Sequence, residues 1–418
     1  MTAIHEFVHE QATFETHDHQ PGYSAHDWSA VSFREFDGYA RADLAVAMGP
    51  AFSEEQLDDT NAFFRVWPHV RTTGYGRAIE LGIAQLCGME LTRDTADAVT
   101  QWLRDFTSER SAAEVYRACF EAANIVGAVN DILPSSELTT ARMEGSEYPD
   151  FFRFAPRLDM VLAIDSADTV RQIESFLDCS IASLGELEQA MEQLVSNAMA
   201  GGRVAALKIG VAYKRTLDFG EVPRQTASTV FDNLMRGNAT DLKPLQDYCF
   251  HRYLRCALDH DLPVQIHTGY LAGLNSDIRQ GDPSPLVPIF MKYPDLRFDL
   301  FHASWPYSEF IGAVGKEFPN VWLDLCWAWA MNPVQMERIL DEWLAAVPNN
   351  KILGYGSDTT TPFAVVGYAQ QAREGIAAVL ERKIARGEYD EAAARHVATR
   401  IMHDNAAELL GASPPGKG

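Results

Sequence analysis

The sequence predicts an α/β protein built as a (β/α)8 TIM barrel with a helical insertion after strand 1. Three observations predict this fold. Eight short apolar runs are spaced along 418 residues, helical patterns fill most of the gaps between them, and one gap is much longer than the others. Several of the runs are almost continuously apolar, which is typical of parallel strands that are covered by helices.

The apolar runs alternate with helices in the order that a barrel requires. Clear helical patterns occupy Pro333–Ala346 and Val365–Arg386. The predicted strands are Thr13–His17, Asn124–Asp131, Arg153–Asp159, Ala205–Tyr213, Pro263–Thr268, Arg297–His302, Val321–Cys326 and Lys351–Gly356.

The long gap lies between the first and second predicted strands. Four stretches in it have helical patterns, at Ser53–Trp67, Gly76–Gly88, Arg93–Thr107 and Ala112–Ala122. Because structureless loops of this length are rare in compact domains, we predict a helical insertion over residues 50–123 of a single barrel domain that spans residues 1–418. The insertion would cover the C-terminal mouth of the barrel or form a subunit contact, and we expect a homo-oligomer.

The composition argues against some classes of partner. The chain has 35 basic and 58 acidic residues, a net charge of −23, which disfavours nucleic acid and anionic membranes. No apolar run approaches the roughly 20 residues of a membrane span, and we see no signal peptide. The six cysteines form no Cys-x-x-Cys pair, which favours free thiols in a reducing compartment. We therefore expect a cytoplasmic protein.

Metal-ligating residues stand at the ends of four predicted strands. His17 and His19 are two apart, so they face the same side of the first strand. His267 and His302 end the fifth and sixth strands, and Asp358 follows the eighth. Each residue alone has an ordinary explanation, such as a loop residue or a helix cap. Together they lie where barrels place their chemistry and predict a site for zinc or manganese.

Lys208 stands inside the apolar fourth strand. Burying an unpaired ammonium is costly, so this position needs a reason. Three explanations are open: an ion pair with a neighbouring acid, contact with a substrate anion, or a carboxylated lysine that bridges two metals.

Four further residues are candidates for substrate binding. Arg157 follows the apolar start of the third strand and either holds a substrate carboxylate or forms an ordinary ion pair. Tyr213 is a weaker candidate after the fourth strand. Trp305 and Trp327 follow the sixth and seventh strands, where they either wall a pocket or pack against the insertion. We expect a small carboxylate-bearing substrate.

At these residues the chain resembles the amidohydrolase superfamily, in its amidohydrolase 2 branch. The shared order is His-x-His on strand one, lysine on four, histidines on five and six, and aspartate on eight. Strands four to eight are most similar to the amidohydrolase modules fused to glutamine synthetases. The segments that carry this are Leu-Lys-Ile-Gly-Val-Ala-Tyr-Lys-Arg, Gln-Ile-His-Thr-Gly and Phe-His-Ala-Ser-Trp-Pro-Tyr. The insertion and Gly-Ser-Asp-Thr also resemble uronate isomerases.

The resemblance implies a (β/α)8 fold with one or two divalent ions, zinc before manganese. It implies His17, His19, His267 and Asp358 as ligands. His302 would be a ligand only if a second ion is present, and would otherwise serve catalysis.

The reaction that the resemblance favours is hydrolysis of a small C–N (amide-type) or ester bond by a metal-activated water. Asp358 would take and return the proton, and His302 would polarise the scissile carbonyl or stabilise the oxyanion. A non-oxidative decarboxylase, a uronate-type sugar isomerase and a catalytically silent barrel are the alternatives, because the fold does not fix the reaction.

Overall fold

The predicted barrel is confirmed by a computed structural model, which describes residues 2–132, 147–238 and 241–411. Its strands pair in parallel in the orders β1-β2-β3 and β4-β5-β6-β7-β8. They are β1 (Thr13–Asp18), β2 (Ile125–Ile132), β3 (Phe152–Pro156), β4 (Leu207–Ile209), β5 (Val264–Ile266), β6 (Phe298–Leu300), β7 (Val321–Asp324) and β8 (Ile352–Leu353).

Backbone contacts close the two groups of strands into a barrel. Parallel bridges join Phe154 to Val204 and Arg157 to Lys208, so β3 continues into β4. On the other side, the segment after β8 pairs with β1: the Asp358 N–H donates to the His17 carbonyl at 3.0 Å. This last contact places the segment after β8 directly beside His17 of β1 and close to His19, which follows the strand.

Several strands are shorter than the sequence predicts. The predicted fourth strand, Ala205–Tyr213, is paired only over Leu207–Ile209, after which the chain turns at Val211–Tyr213. The predicted third strand ends earlier because Asp159 already begins helix α8 (Asp159–Leu162). In both places the backbone stops pairing with its neighbours at the C-terminal end of the strand. Side chains at this end of the barrel must be directed inward.

Helices fill the interval between β1 and β2, as predicted. Helix α1 (Ala3–Glu10) precedes β1, and the insertion contains α2 (Ala40–Met48), α3 (Glu54–Asp58), α4 (Thr60–Val70), α5 (Gly74–Cys87), α6 (Ala96–Ser108) and α7 (Ala112–Ala122). The predicted helix Ser53–Trp67 is split in two. Its break is Asp59, whose carboxylate accepts from the N–H groups of Asn61 and Ala62 and so caps α4.

The remaining helices cover the outside of the barrel. They are α8, α9 (Ala167–Leu177), α10 (Leu184–Ala200), α11 (Arg224–Met235), α12 (Lys243–Asp259), α13 (Val287–Lys292), α14 (Ser308–Glu317), α15 (Ala328–Met331), α16 (Pro333–Ala346), α17 (Pro362–Ala385), α18 (Glu391–Thr399) and α19 (Asn405–Leu409). None of the helices in the described ranges combines the length and apolar character needed to cross a bilayer.

The insertion is anchored on α17 at a point of close backbone approach. A Cβ atom on Gly367 would lie 2.0 Å from the Ala78 carbonyl oxygen of α5, a distance that only glycine permits. The insertion is therefore packed against the barrel rather than suspended over it.

A buried arginine on α17 joins three separate segments. Arg373 is 4% exposed. Its guanidinium donates to the carbonyls of Val8, Gln11 and Ala123 and to the Thr13 hydroxyl, at 2.8, 2.7, 2.9 and 2.8 Å. It thereby connects α1, the start of β1 and the turn that leads into β2.

We expect Arg373→Met to lower the free energy of unfolding by about 3 kcal/mol or more, since each buried carbonyl left without a donor costs roughly 1–3 kcal/mol. Urea unfolding would measure this. The control is Arg382→Met on the same helix, which removes a half-exposed ion pair with Glu337 and should cost less than about 1 kcal/mol. Equal effects of the two substitutions would contradict the proposed role of Arg373.

Candidate metal centre

The end of β1 brings two histidines to the carboxylate that follows β8. Asp358 Oδ1 lies 3.7 Å from His17 Nε2 and 2.9 Å from His19 Nε2. One ligand atom from each residue lies within 4.8 Å of the other two. Asp358 is more than 330 positions away from His17 and His19 in the sequence. The fold thus gathers the three side chains at the C-terminal rim of the barrel.

A fourth group, Asp131 at the end of β2, was missed by the sequence reasoning. Its Oδ2 lies 3.6 Å from His17 Nε2 and 3.7 Å from His19 Nδ1. Both of its carboxylate oxygens are buried without a hydrogen-bond partner. The sequence did contain a signal, because Asp131 was the last residue of a predicted strand.

His267 and His302 face each other through two ring nitrogens, neither of which carries a proton. His267 Nε2 lies 2.9 Å from the Tyr270 carbonyl, and His302 Nδ1 lies 3.0 Å from the Cys326 carbonyl. A carbonyl only accepts, so each of these nitrogens carries the proton of its neutral ring. The other two nitrogens, His267 Nδ1 and His302 Nε2, are then both acceptors, and they lie 3.0 Å apart.

Burial keeps most of these imidazoles neutral. Desolvation, followed by the charge of Lys208, holds the pKa of His17 well below its usual range. Burial lowers the pKa of His302 to about 4 and that of His267 well below its usual range. Neutral imidazole is the form that binds a metal ion. These three histidines can therefore act as ligands without first losing a proton.

The His19–Asp358 pair behaves differently. Burial lowers the pKa of His19, but the Asp358 and Asp131 carboxylates outweigh that effect and raise it. Burial acts on Asp358 in the opposite direction and raises its pKa. His19, with smaller contributions from His302 and Lys208, outweighs this effect and brings the pKa of Asp358 below its usual value. The Asp358 carboxylate is therefore ionised and stabilised by the groups around it.

Lys208 is buried on β4 beside this cluster. Its amine lies 3.5 Å from the centroid of the Phe301 ring. Desolvation lowers its pKa to about 8, although Asp358 and Asp131 act in the opposite direction. In the described part of the chain no carboxylate forms an ion pair with this amine, so the ion-pair explanation is not supported. Contact with a substrate anion and carboxylation stay predictions.

Arg157 approaches the centre from β3. Its Nη1 lies 3.4 Å from Asp131 Oδ2, and its Nε lies 3.6 Å from Asp159 Oδ2. The Nε group is buried without a hydrogen-bond partner. Both of the roles predicted for Arg157 remain open, because its ion pairs leave donors of the guanidinium unused.

Aromatic rings surround the centre. Tyr213 packs on His267 with ring centroids 4.8 Å apart. Trp327 lies 5.1 Å from His302. It also contacts Tyr39, which precedes α2, at 4.9 Å and Tyr75 on α5 of the insertion at 6.4 Å. Trp305 is farther out and packs on Tyr270 at 5.4 Å. Trp327 thus both walls the centre and packs against the insertion.

The turns that carry these side chains have unusual backbone conformations. His302, Trp327 and Asp358 have positive φ values of 64°, 61° and 54°, although none is glycine. Such conformations cost about 1–3 kcal/mol each and concentrate at functional sites. The ends of β6, β7 and β8 are therefore strained where the chemistry is expected.

The nitrogen and oxygen atoms gathered at this centre are suitable ligands for a divalent metal ion. His17 Nε2 and both oxygens of Asp131 are buried without a hydrogen-bond partner, and two acceptor nitrogens of His267 and His302 face each other. A cation would satisfy all of these groups. Imidazole nitrogens and carboxylate oxygens are ligands for zinc and manganese.

Known proteins resemble this chain in sequence as well as in fold. A sequence model of the family described as Amidohydrolase matches residues 231–412. This match covers less than half of the chain, so the likeness to the family is established for residues 231–412 alone. The predicted resemblance is thereby confirmed, and this amidohydrolase region contains His267, His302 and Asp358.

Protein fluG of Emericella nidulans is 25% identical over 333 residues, which cover 75% of this chain and 38% of fluG. The chain thus spans well under half the length of this relative.

Solved structures of low sequence identity share the barrel fold over almost the whole chain. A uronate isomerase of Thermotoga maritima is 14% identical with a TM-score of 0.81, over 97% of this chain and 96% of that one. A glucuronate isomerase of Caulobacter crescentus is 17% identical with a TM-score of 0.78, over 99% and 94%. At these identities the likeness establishes the architecture and not the reaction.

We expect His17→Ala and Asp131→Asn each to weaken metal binding by about tenfold or more, since each removes a donor or its immediate support. Metal content after dialysis, and affinity by competition with a chelator, would measure this. His260→Ala is the matched control because this histidine is exposed on the outside of the barrel. Unchanged metal content in both site variants would refute the assignment.

Proposed function

We propose that the protein is a metal-dependent hydrolase that cleaves a small C–N (amide-type) or ester bond in a carboxylate-bearing molecule. One observation carries the proposal. The buried lone pairs of His17, His267 and His302 converge with two carboxylates, and the surrounding hydrogen bonds leave no proton for them to share. The match of residues 231–412 to the amidohydrolase family model supports it.

His17, His19 and Asp358 would hold one ion, and His267 with His302 could help to hold it or a second one. A divalent ion, zinc before manganese, supplies a nucleophile at neutral pH by lowering the pKa of bound water. The remaining steps depend on the protein's own groups.

Asp358 is the group best placed to accept a proton. Its carboxylate is ionised despite burial, because His19 brings its pKa below the usual value. Oδ1 is engaged by His19 at 2.9 Å, whereas Oδ2 lies 3.9 Å from His302 Nε2 and is the freer oxygen. We assign to Oδ2 the removal of a proton from the attacking water and its delivery to the leaving group.

The hydrogen bonds favour one of the two roles predicted for His302. Its Nδ1 proton is directed at the Cys326 carbonyl, and its pKa is about 4. Nε2 therefore presents a lone pair at neutral pH. A lone pair cannot donate to a developing oxyanion, so the geometry favours His302 as a ligand.

Arg157 is the candidate partner for a substrate carboxylate. Its Nε is buried without a hydrogen-bond partner, and its ion pairs with Asp131 and Asp159 are long, at 3.4 and 3.6 Å. A guanidinium with unused donors can bind a carboxylate through two parallel hydrogen bonds. The rings of Trp327 and Tyr39 would line the adjoining wall.

A second candidate is a uronate-type sugar isomerase. It is suggested by the resemblance of the insertion and of Gly-Ser-Asp-Thr to uronate isomerases, and the shared architecture of two solved uronate-type isomerases is compatible with it. In that reaction Asp131 or Asp358 would move a proton between adjacent carbons. A uronate also carries the carboxylate that Arg157 would bind.

A substrate panel would separate these reactions. We expect small N-acyl, amide or ester carboxylates to release an amine or alcohol, and Asp358→Asn to reduce kcat by roughly 10²–10⁴-fold, as for loss of a general acid–base group. Removal of metal by a chelator should abolish turnover and re-addition should restore it. Conversion of hexuronates without hydrolysis would replace the proposal by the isomerase, and release of carbon dioxide would replace it by a decarboxylase.

Arg157→Met should act on substrate binding. We expect KM for the carboxylate substrate to rise about tenfold to a hundredfold, equivalent to losing one charge-assisted contact of about 1.5–3 kcal/mol. The matched carboxamide analogue should be much less affected. Metal content must be checked in parallel because Arg157 also contacts Asp131. Equal losses for the two substrates would assign Arg157 a structural role.

A further inference from the structure

Gln265 is a buried amide directly beneath the metal centre. It stands on β5 two residues before His267, so both side chains face the barrel interior. Its register partners are Lys208 on β4 and Asp299 on β6. Gln265 and Asp299 are both 0% exposed. An apolar side chain would fill this layer of the barrel interior without the free-energy cost of burying a polar amide. The presence of an amide here therefore requires an explanation.

The orientation of the amide is fixed by what surrounds it. Gln265 Nε2 donates to the Thr16 carbonyl at 3.0 Å and to Asp299 Oδ2 at 3.1 Å. The Thr16 carbonyl can only accept, so the nitrogen must lie on that side. Oε1 therefore points the other way, towards His17 Nδ1 at 3.3 Å.

This orientation determines where His17 carries its proton. An amide oxygen only accepts, so Nδ1 is the protonated nitrogen of the neutral ring. Nε2 is left as a lone pair, and it is the nitrogen that is buried without a hydrogen-bond partner. It lies 3.6 Å from Asp131 Oδ2 and 3.7 Å from Asp358 Oδ1.

We propose that Gln265 is a positioning residue that selects the metal-binding tautomer of His17 and fixes the direction of its ring. The inference rests on the proposed function, because it assumes that Nε2 receives a metal ion. Hydrogen bonds from the far nitrogen of a histidine ligand commonly set its orientation and basicity. Here the acceptor is an amide, which Thr16 and Asp299 hold in one orientation.

The first experiment compares two buried glutamines. We expect Gln265→Met to weaken metal binding by roughly 10–100-fold, as for loss of other groups that orient a ligand. Gln371→Met is the matched control. Gln371 is also buried and donates to two carbonyls, of Gly74 and Trp329. The control should lose stability without losing metal affinity, whereas a merely structural Gln265 would behave in the same way as Gln371.

The second experiment restores the contact with a different pair of residues. Gln265→Glu keeps an acceptor for His17 but places an oxygen against both Asp299 Oδ2 and the Thr16 carbonyl, so we expect it to lose affinity. Adding Asp299→Asn supplies a donor to that oxygen and leaves only the Thr16 carbonyl without a donor. The double variant should recover part of the loss, and failure to recover any of it would contradict the proposed chain of hydrogen bonds.

The third experiment reads the tautomer without metal. Long-range ¹H–¹⁵N correlation spectra of histidine-labelled metal-free protein, assigned with His17→Ala, should show His17 protonated at Nδ1, and Gln265→Met should shift this equilibrium. A His17 protonated at Nε2 in the wild type would overturn the inference, as would wild-type affinity in folded Gln265→Met. A wild type that binds no metal would refute the proposed function, while the tautomer would still be decided.

Discussion

The requirement that buried hydrogen-bonding groups be paired governs this site. Three acceptor-only oxygens, those of Gln265, Tyr270 and Cys326, each lie beside one nitrogen of a buried histidine. Each oxygen accepts a hydrogen bond from the single N–H of its neutral ring. The other ring nitrogen is left with a lone pair, and the three lone pairs are turned towards one region at the rim of the barrel. In a low-dielectric interior it is costly to leave these lone pairs unpaired. A cation would satisfy all of them at once, and the nearby carboxylates favour the same occupant.

The barrel provides this arrangement through the ends of its strands. Closure of β8 on β1 through the Asp358 N–H places the Asp358 carboxylate beside His17. The turns after β6, β7 and β8 then adopt positive φ values at His302, Trp327 and Asp358. The large apolar core can sustain such strain, because each turn is held on both sides by paired backbone and packed rings. The stability of the folded barrel thus maintains backbone conformations that the same turns would avoid in isolation.

The positions of the strands were predictable from sequence because each is a short apolar run, and the His-x-His pair followed from the two-residue period of a strand. Asp131 could have been found by the same reasoning, since it ends a predicted strand. Gln265 could not, because its role depends on which partner each amide atom meets. The split at Asp59 and the early end of β3 were missed for a related reason: local side-chain caps and turns override the apolar pattern.

The local charge of the site differs from that of the whole protein. The chain carries a net charge of −23, yet the centre pairs two carboxylates, Asp131 and Asp358, with two basic groups, Arg157 and Lys208. The neutral imidazoles of His17, His267 and His302 add no charge, so a divalent ion would make the centre positive. Such a centre would attract a carboxylate-bearing substrate and stabilise negative charge that develops during the reaction. The proposed hydrolysis and the alternative uronate isomerisation both meet this condition. Under either proposal, the reaction would be decided by which atom of the substrate lies nearest the free oxygen of Asp358, and Arg157 and the aromatic wall would determine that placement.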